Sequence, residues 1–154
     1  MKAKLSAAVA AAALFCAGAA FAAPVTLTSH AYKEVATKTA DGRTQVSRVE
    51  PNAVAPGDDV LYVLTYQNGG AVAADALVIT NPVPRELTYV AAEGASVSVD
   101  GGQSFGPLAQ AVIRSADGAS RPASPADVTH VRWALSSPVP AGGEGEVSYR
   151  AKLK

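Results

Sequence analysis

The run Val60-Leu61-Tyr62-Val63-Leu64-Thr65-Tyr66-Gln67 stands between Pro56-Gly57-Asp58-Asp59 and Asn68-Gly69-Gly70. Side chains alternate across an extended chain, so Val60, Tyr62, Leu64 and Tyr66 share one face and Leu61, Val63, Thr65 and Gln67 the other. Pro, Gly, Asn and Asp at both ends favour turns. A β-branched and aromatic run bounded in this way predicts a strand. Half of its second face is apolar as well, and that predicts a cover on that side.

The pattern repeats outward from this strand. Ala76–Thr80 sets Leu77 and Ile79 together and stops at Asn81-Pro82-Val83-Pro84, where proline ends ladder pairing in a central strand. Leu87–Ala92 and Ser96–Val99 are short strands, and Asp100-Gly101-Gly102-Gln103 predicts a tight hairpin turn. Gly106–Asp127, rich in Ala, Ser and Pro, predicts mostly loop with a short strand at Val112-Ile113. Val131, Trp133 and Leu135 then share a face opposite His130, Arg132 and Ala134. Beyond Pro138–Gly143, read as a second tight connection like the hairpin turn at Asp100–Gln103, Val147, Tyr149, Ala151 and Leu153 alternate with Glu146, Ser148, Arg150 and Lys152, the pattern of a half-buried antiparallel strand. Val25–Glu50 reads as a strand pair turning near Asp41-Gly42. No stretch after the first residues carries helical periodicity. The expected class is all-β, an antiparallel β-sandwich of about seven to nine strands.

The beginning of the chain differs. Lys2 and Lys4 precede an apolar run from Leu5 to Phe21, and Ala20-Phe21-Ala22 offers small residues where a signal peptidase requires them. Residues 1–22 are thus read as a signal peptide, 23–50 as an N-terminal strand region and 51–154 as the sandwich domain. Phe15 before Cys16 is too large for lipid attachment to that cysteine, which leaves with the signal peptide. The chain from Ala23 then has no thiol, and no disulfide contributes to its stability. Loss of Lys2 and Lys4 takes Lys+Arg from 13 to 11 against 13 Asp+Glu, a net charge near −2. A mildly acidic chain with scattered cations lacks the basic footprint that phosphate backbones require, so no nucleic acid partner is expected. No later segment is apolar for long enough to span a bilayer, so none is expected to do so after signal cleavage.

The order of elements resembles one envelope family. Pro56-Gly57-Asp58, an alternating strand, Asn68-Gly69-Gly70, a second strand, Thr80-Asn81-Pro82-Val83-Pro84 and Leu87-Thr88-Tyr89-Val90 carry the likeness. Val131-Arg132-Trp133-Ala134-Leu135 before Pro140-Ala141-Gly142-Gly143 and a closing strand continue it. Over roughly Pro51 to Lys154 the chain is similar to the conserved-repeat domain of bacterial and archaeal surface proteins, domain of unknown function number eleven. The resemblance implies an immunoglobulin-like sandwich in the periplasm, on the cell surface or secreted, and no catalytic residues. Asn81 stands where that family usually has Asp. The domain occurs once in this sequence, whereas relatives often carry tandem arrays, so their stalk role does not transfer directly.

The residues with chemical potential are few. His30 and His130 are the two histidines, a hundred positions apart, and a metal site needs three or four converging ligands. Asp58-Asp59 offers adjacent carboxylates but lacks EF-hand spacing, and a polar turn is the expected role. No Gly-x-Ser-x-Gly elbow is present. Asp100-Gly101-Gly102-Gln103 reads as a loop tip, and Trp133, in phase with Val131 and Leu135, as core. Tyr32 and Phe105 are the aromatics placed for ligand stacking. No catalytic, cofactor-binding or metal residues are assigned, and no cofactor. The expected function is a non-enzymatic, exported envelope or surface protein with a structural or protein-interaction role, adhesive or filament-type. A periplasmic or extracellular module for a ligand or glycan is the alternative. A protein partner or self-association is expected. Leu61, Val63 and Val78 form an outward apolar stripe, for which the segment carrying Val25, Leu27 and Val35 is the nearest cover. That segment either folds back on its own domain or pairs with a neighbouring copy.

Overall fold

The computed structural model describes residues 25–51 and 54–154. The expected signal peptide, with Cys16 and the Ala20-Phe21-Ala22 site, lies outside them. Ten strands follow in order: β1 (Val25–Lys38), β2 (Thr44–Val49), β3 (Asp59–Asn68), β4 (Val78–Pro82), β5 (Leu87–Ala92), β6 (Ser96–Ser98), β7 (Val112–Arg114), β8 (Ser120–Pro122), β9 (His130–Ala134) and β10 (Glu144–Leu153). They form a five-stranded sheet β2-β1-β3-β10-β5, a three-stranded sheet β4-β9-β6 and a β7-β8 ribbon. Every strand pair is antiparallel. The expected all-β sandwich class holds. The count passes the expected seven to nine because Gly106–Asp127 contains a hairpin. Its second strand, Ser-Arg-Pro, has no apolar alternation to betray it.

The core lies between the two sheets. Leu64, Leu87, Tyr89, Tyr149 and Ala151 from the large sheet meet Ile79, Val97, Val131 and Trp133 from the small one. An aromatic spine crosses it. The Tyr62 and Tyr149 rings stack at 5.1 Å, and Trp133 tilts onto Tyr149 at 6.3 Å. The buried polar atoms are satisfied: Trp133 Nε1 donates to Glu93 O at 3.0 Å, and Asn81 Nδ2 donates to Tyr149 Oη at 3.1 Å. An Asp at position 81 would accept from that hydroxyl instead, keeping the contact and reversing its direction.

Two connections differ from expectation. Pro138–Gly143 does not join hairpin partners, because β9 and β10 lie in opposite sheets and the segment crosses between them. Asn68 holds that crossing. Its side chain is buried, and Nδ2 donates to Val72 O, Val139 O and Pro140 O at 2.8, 2.9 and 3.2 Å, while Oδ1 accepts from Gly70 N at 2.9 Å. Asp100–Gln103 is no tight two-residue turn either. Val97 bridges Gly106, and the loop between them is wide.

β1 changes partner along its length. Val25–Lys33 pairs with β3, and Lys33–Lys38 pairs with β2, so Lys33 alone faces both Val60 and Val49. Arg48, opposite Glu34, is level with Asp59 and Lys152 in the ladder. In a flat sheet it would stand three strand spacings and six residues away from Glu146, roughly 25 Å. Instead Arg48 Nη1 lies 3.2 Å from Glu146 Oε1. The β1–β2 hairpin therefore curls beyond Lys33 across the outer face of its own sheet. Leu61 and Val63, on that face, are 3% and 4% exposed. The N-terminal segment folds back on its own domain. The expected stripe does not survive whole, since Val78 belongs to β4 in the other sheet and is 52% exposed.

Trp133 fills the centre of this core at 3% exposure, in the place its alternation predicts. Trp133→Ala should lower stability by about 3–5 kcal/mol, the range for truncating a buried aromatic. A urea melt reads this directly, and an unchanged midpoint would mean that the indole contributes nothing to packing.

Candidate functional site

The singled-out polar residues do not converge. Asp58 closes the turn into β3: its Oδ2 accepts from Lys33 Nζ at 2.7 Å and from Ala55 N at 2.9 Å. The Lys33 bond, with that backbone donor, holds its carboxyl below the usual carboxylate range. Asp59 pairs with Lys152 at 3.0 Å on the other side of the chain. The adjacent carboxylates thus serve two different cations. His30 stands on β1 beside Tyr32, ring centroids 6.3 Å apart. His130 is half-buried rather than an exposed strand residue. Its Nδ1 is 3.1 Å from Thr129 Oγ1, and its ring packs on Gly102, where a Cβ would come within 3.5 Å. Among the described residues no three His, Cys, Asp or Glu side chains gather.

The loop after β6 is built around one carboxylate. Asp100 Oδ1 accepts from Ser98 Oγ, Gln103 N and Ser104 N at 2.6, 3.0 and 3.0 Å, and Oδ2 accepts from Ser104 Oγ. The Ser104 hydroxyl and amide, then Ser98, push its carboxyl far below the usual range. Asp127 repeats the device. Arg121 donates two bonds to it at 2.8 and 2.6 Å, and Ser124 donates through N and Oγ at 2.8 and 2.7 Å. Arg121 first, with Ser124 behind it, holds Asp127 ionised. Ser124-Pro125-Ala126-Asp127 is a capping-box pattern, a signal available in the sequence but not read there.

Both aromatics placed for ligand stacking have company. Arg132 lies over the Phe105 ring at 3.5 Å from its centroid, and its Nε donates to Thr80 Oγ1 at 3.1 Å. That ring edges a 290 Å³ cleft with Val97, Val99 and Pro107, but one of its faces is taken. Tyr32 pairs with Leu61 across β1 and β3 on the outer face. A second cleft, 230 Å³, lies at the open end of the sandwich between Ala31, Val60, Tyr62, Leu87 and Leu153, with Glu86 at its rim.

The outer face of the large sheet combines charge pairing with exposed apolar groups. Arg150 reaches over β3 to Glu34 with two bonds, Nε to Oε2 at 2.6 Å and Nη2 to Oε1 at 3.0 Å. The Arg150 guanidinium lowers the Glu34 carboxyl below its ordinary value. With Arg48–Glu146 this makes two ion pairs between hairpin and β10. Arg48–Glu146 is solvent-exposed and Glu34 is half-buried, and partly exposed pairs of this kind contribute about 0.2–1 kcal/mol each. Sequence reading missed both, since their partners lie 98 and 116 residues apart. The hairpin meanwhile leaves Val35, Val46 and Val49 in solvent, and β1 leaves Leu27. No helix among the described residues is long and apolar enough to cross a membrane.

Comparison with known proteins returned no matching family model, curated protein or solved structure.

Glu34, Asp58, Asp100 and Asp127 all have folded-state values below their ordinary ones. Their stabilisation is therefore present above the unfolded carboxylate range, about pH 4, and is lost as pH falls through the depressed values. The urea midpoint should be level from about pH 7 to about pH 5 and drop below about pH 4. A midpoint that holds or rises on acidification would contradict these assignments. Asn68→Asp should cost more than Asn68→Ala, because a carboxylate would face three carbonyl oxygens; Asn68→Ala itself should cost about 2–4 kcal/mol in the same melts.

Proposed function

We propose that this chain is a non-enzymatic, exported protein of the cell envelope or cell surface, acting through protein contacts in a structural, adhesive or filament-type role. One observation carries the reading. The β1–β2 hairpin is fully paired as a strand ribbon and pinned to the body by ion pairs, yet Val35, Val46 and Val49 stand in solvent at 38%, 55% and 40% exposure. Val35 and Val49 are diagonal neighbours on one face of that ribbon. A pinned ribbon that presents apolar side chains to water suits a protein contact. The export half of the reading rests on the basic and apolar start of the sequence and on its Ala20-Phe21-Ala22 site. The resemblance to conserved-repeat surface domains points the same way and carries the immunoglobulin-like description of the sandwich. The carboxylates Asp58, Asp100 and Asp127 are each occupied in closing a turn or loop, which agrees with a structural role. The ligand- or glycan-binding alternative has less support, because Arg132 already covers one face of Phe105.

The test joins location to contact. In the native cell the protein should appear in the envelope or medium with the mass of a chain beginning at Ala23, and cross-linking should trap it in higher-mass adducts. Val35→Ser, Val46→Ser and Val49→Ser combined should leave the melt nearly unchanged, within about 1 kcal/mol for exposed positions, and abolish adducts larger than two copies. An unprocessed cytosolic protein would sink the export half. Adducts larger than two copies that persist in the triple variant would sink the hairpin as the contact.

A further inference from the structure

Val25–Tyr32 of β1 is bonded to β3 along one side, and among the described residues nothing pairs with its other side until Lys33 meets Val49. Eight residues at a strand's rise make an open edge about 27 Å long. Exposed edges are templates for pairing, and soluble proteins guard them with charge, proline, bulges or brevity. Among the described residues the other edges of the two sheets carry such guards: β2 is six residues long and carries Arg48. β5 bulges at Val90, where its register against β10 shifts between Arg150 and Ala151. β4 is five residues long and ends in Pro82, and β6 has three residues. The stretch of β10 beyond β5, Glu144–Ser148, carries Glu144 and Glu146. Val25-Thr26-Leu27-Thr28-Ser29-His30-Ala31-Tyr32 has no Lys, Arg, Asp, Glu, Pro or Gly. It is also straight in register: its pairing with β3 runs without a shift from Val25 to Lys33. An edge this long and unguarded is the exception in its own molecule.

The composition selects the occupant. In antiparallel pairing about a two-fold axis at Leu27, Leu27 meets Leu27 of the second copy, Thr26 meets Thr28 and Val25 meets Ser29. Threonines then pair on the outer face and leucines on the inner one, both favourable cross-strand pairs. Leu27 is 47% exposed in the single chain and gains its cover from itself. An uncharged edge meets its own copy without like-charge repulsion, the usual obstacle to self-pairing. The antiparallel arrangement is also the more stable ladder, and an isologous two-fold contact closes on itself.

We propose that the free edge of β1 pairs antiparallel through Val25–Ser29 with the same residues of a second copy, Leu27 opposite Leu27, so that one continuous sheet runs through a two-fold dimer. This names a partner for the protein-contact role proposed above and rests on that reading. It uses the opposite end of β1 from the hairpin valines, so the two fail separately. A monomer removes the second copy, whereas adducts larger than two copies that persist in the valine variant remove the hairpin contact.

Sedimentation of the chain beginning at Ala23, from micromolar to millimolar concentration, should show mass rising with concentration and levelling at two copies. Leu27→Lys places like charges opposite each other and should weaken the dimer roughly tenfold or more with an unchanged melt. Leu27→Cys, the single cysteine of a chain starting at Ala23, should oxidise to a covalent dimer that remains folded. In the parent protein, alternate amides of Val25–Ser29 should exchange hydrogen more slowly at high concentration than at low, a reading that needs no variant. A monomer at millimolar concentration overturns the proposal. So does a dimer indifferent to Leu27→Lys with unprotected edge amides, since it forms elsewhere. Open-ended polymers overturn the two-fold arrangement, and failure of Leu27→Cys to cross-link overturns the register.

Discussion

β3 lies between β1 and β10 and is buried on both faces, with Leu64 against the opposing sheet and Leu61 and Val63 on the outer side. In a two-layer sandwich only one face of each sheet has a neighbour, and the other normally carries polar side chains. A central strand that is apolar on both sides leaves two valuable hydrophobic groups facing water unless a third layer is supplied. Fully burying a Leu or Val side chain contributes about 1.5–3 kcal/mol, so the incentive is comparable with a fair part of a domain's net stability. The curled hairpin follows from this demand. Its ion pairs are individually weak, and their role is to set where the hairpin lies rather than to hold the fold together.

The polar chemistry is spent on geometry. Asn68, Asp100 and Asp127 each make three or more hydrogen bonds, within their own turn or loop or to the crossing segment. Without disulfides in the expected exported chain, such side chains are what define the connections. Loops tied in this way sit in single conformations, which keeps strand edges and the hairpin in fixed positions relative to the body. Rigid presentation of a surface is useful to a contact protein because little ordering entropy remains to be lost on association.

Much of this architecture was legible in the sequence. Period-two alternation located β3, β9 and β10 and separated the core-facing side from the outer side along them, Tyr62 from Leu61 and Tyr149 from Arg150, because side chains on a pleated strand point to alternate faces. The N-terminal strand pair, with poorer alternation, was legible mainly from its turn near Asp41-Gly42, and the need for a cover on Leu61 and Val63 from the apolar second face of β3. Three things were not. The β7–β8 ribbon was hidden because a small exposed hairpin needs no apolar face. The crossing at Pro138–Gly143 looked like a hairpin connection because turn residues do not report which sheet comes next. The partners of Arg48, Arg150 and Asn68 were hidden because contacts across the fold depend on topology, which spacing along the chain does not encode. Of the candidate site, the residues flagged for chemistry were visible, but only the fold revealed that they are dispersed and already engaged.

The position of β10 has a consequence for when the molecule exists as a folded body. The strand latest in the sequence is not at the margin of the large sheet; it is inserted between β3 and β5 and joins them. Until Glu144–Leu153 is available, β5 has no partner in that sheet, Tyr62 lacks the ring on which it stacks, and Asn68 has no crossing segment to clamp. Closure must wait for β10, and the closing contacts span long separations, a topology that folds slowly. A nascent chain of this kind stays open until residues 144–153 have emerged, and only then becomes a rigid object.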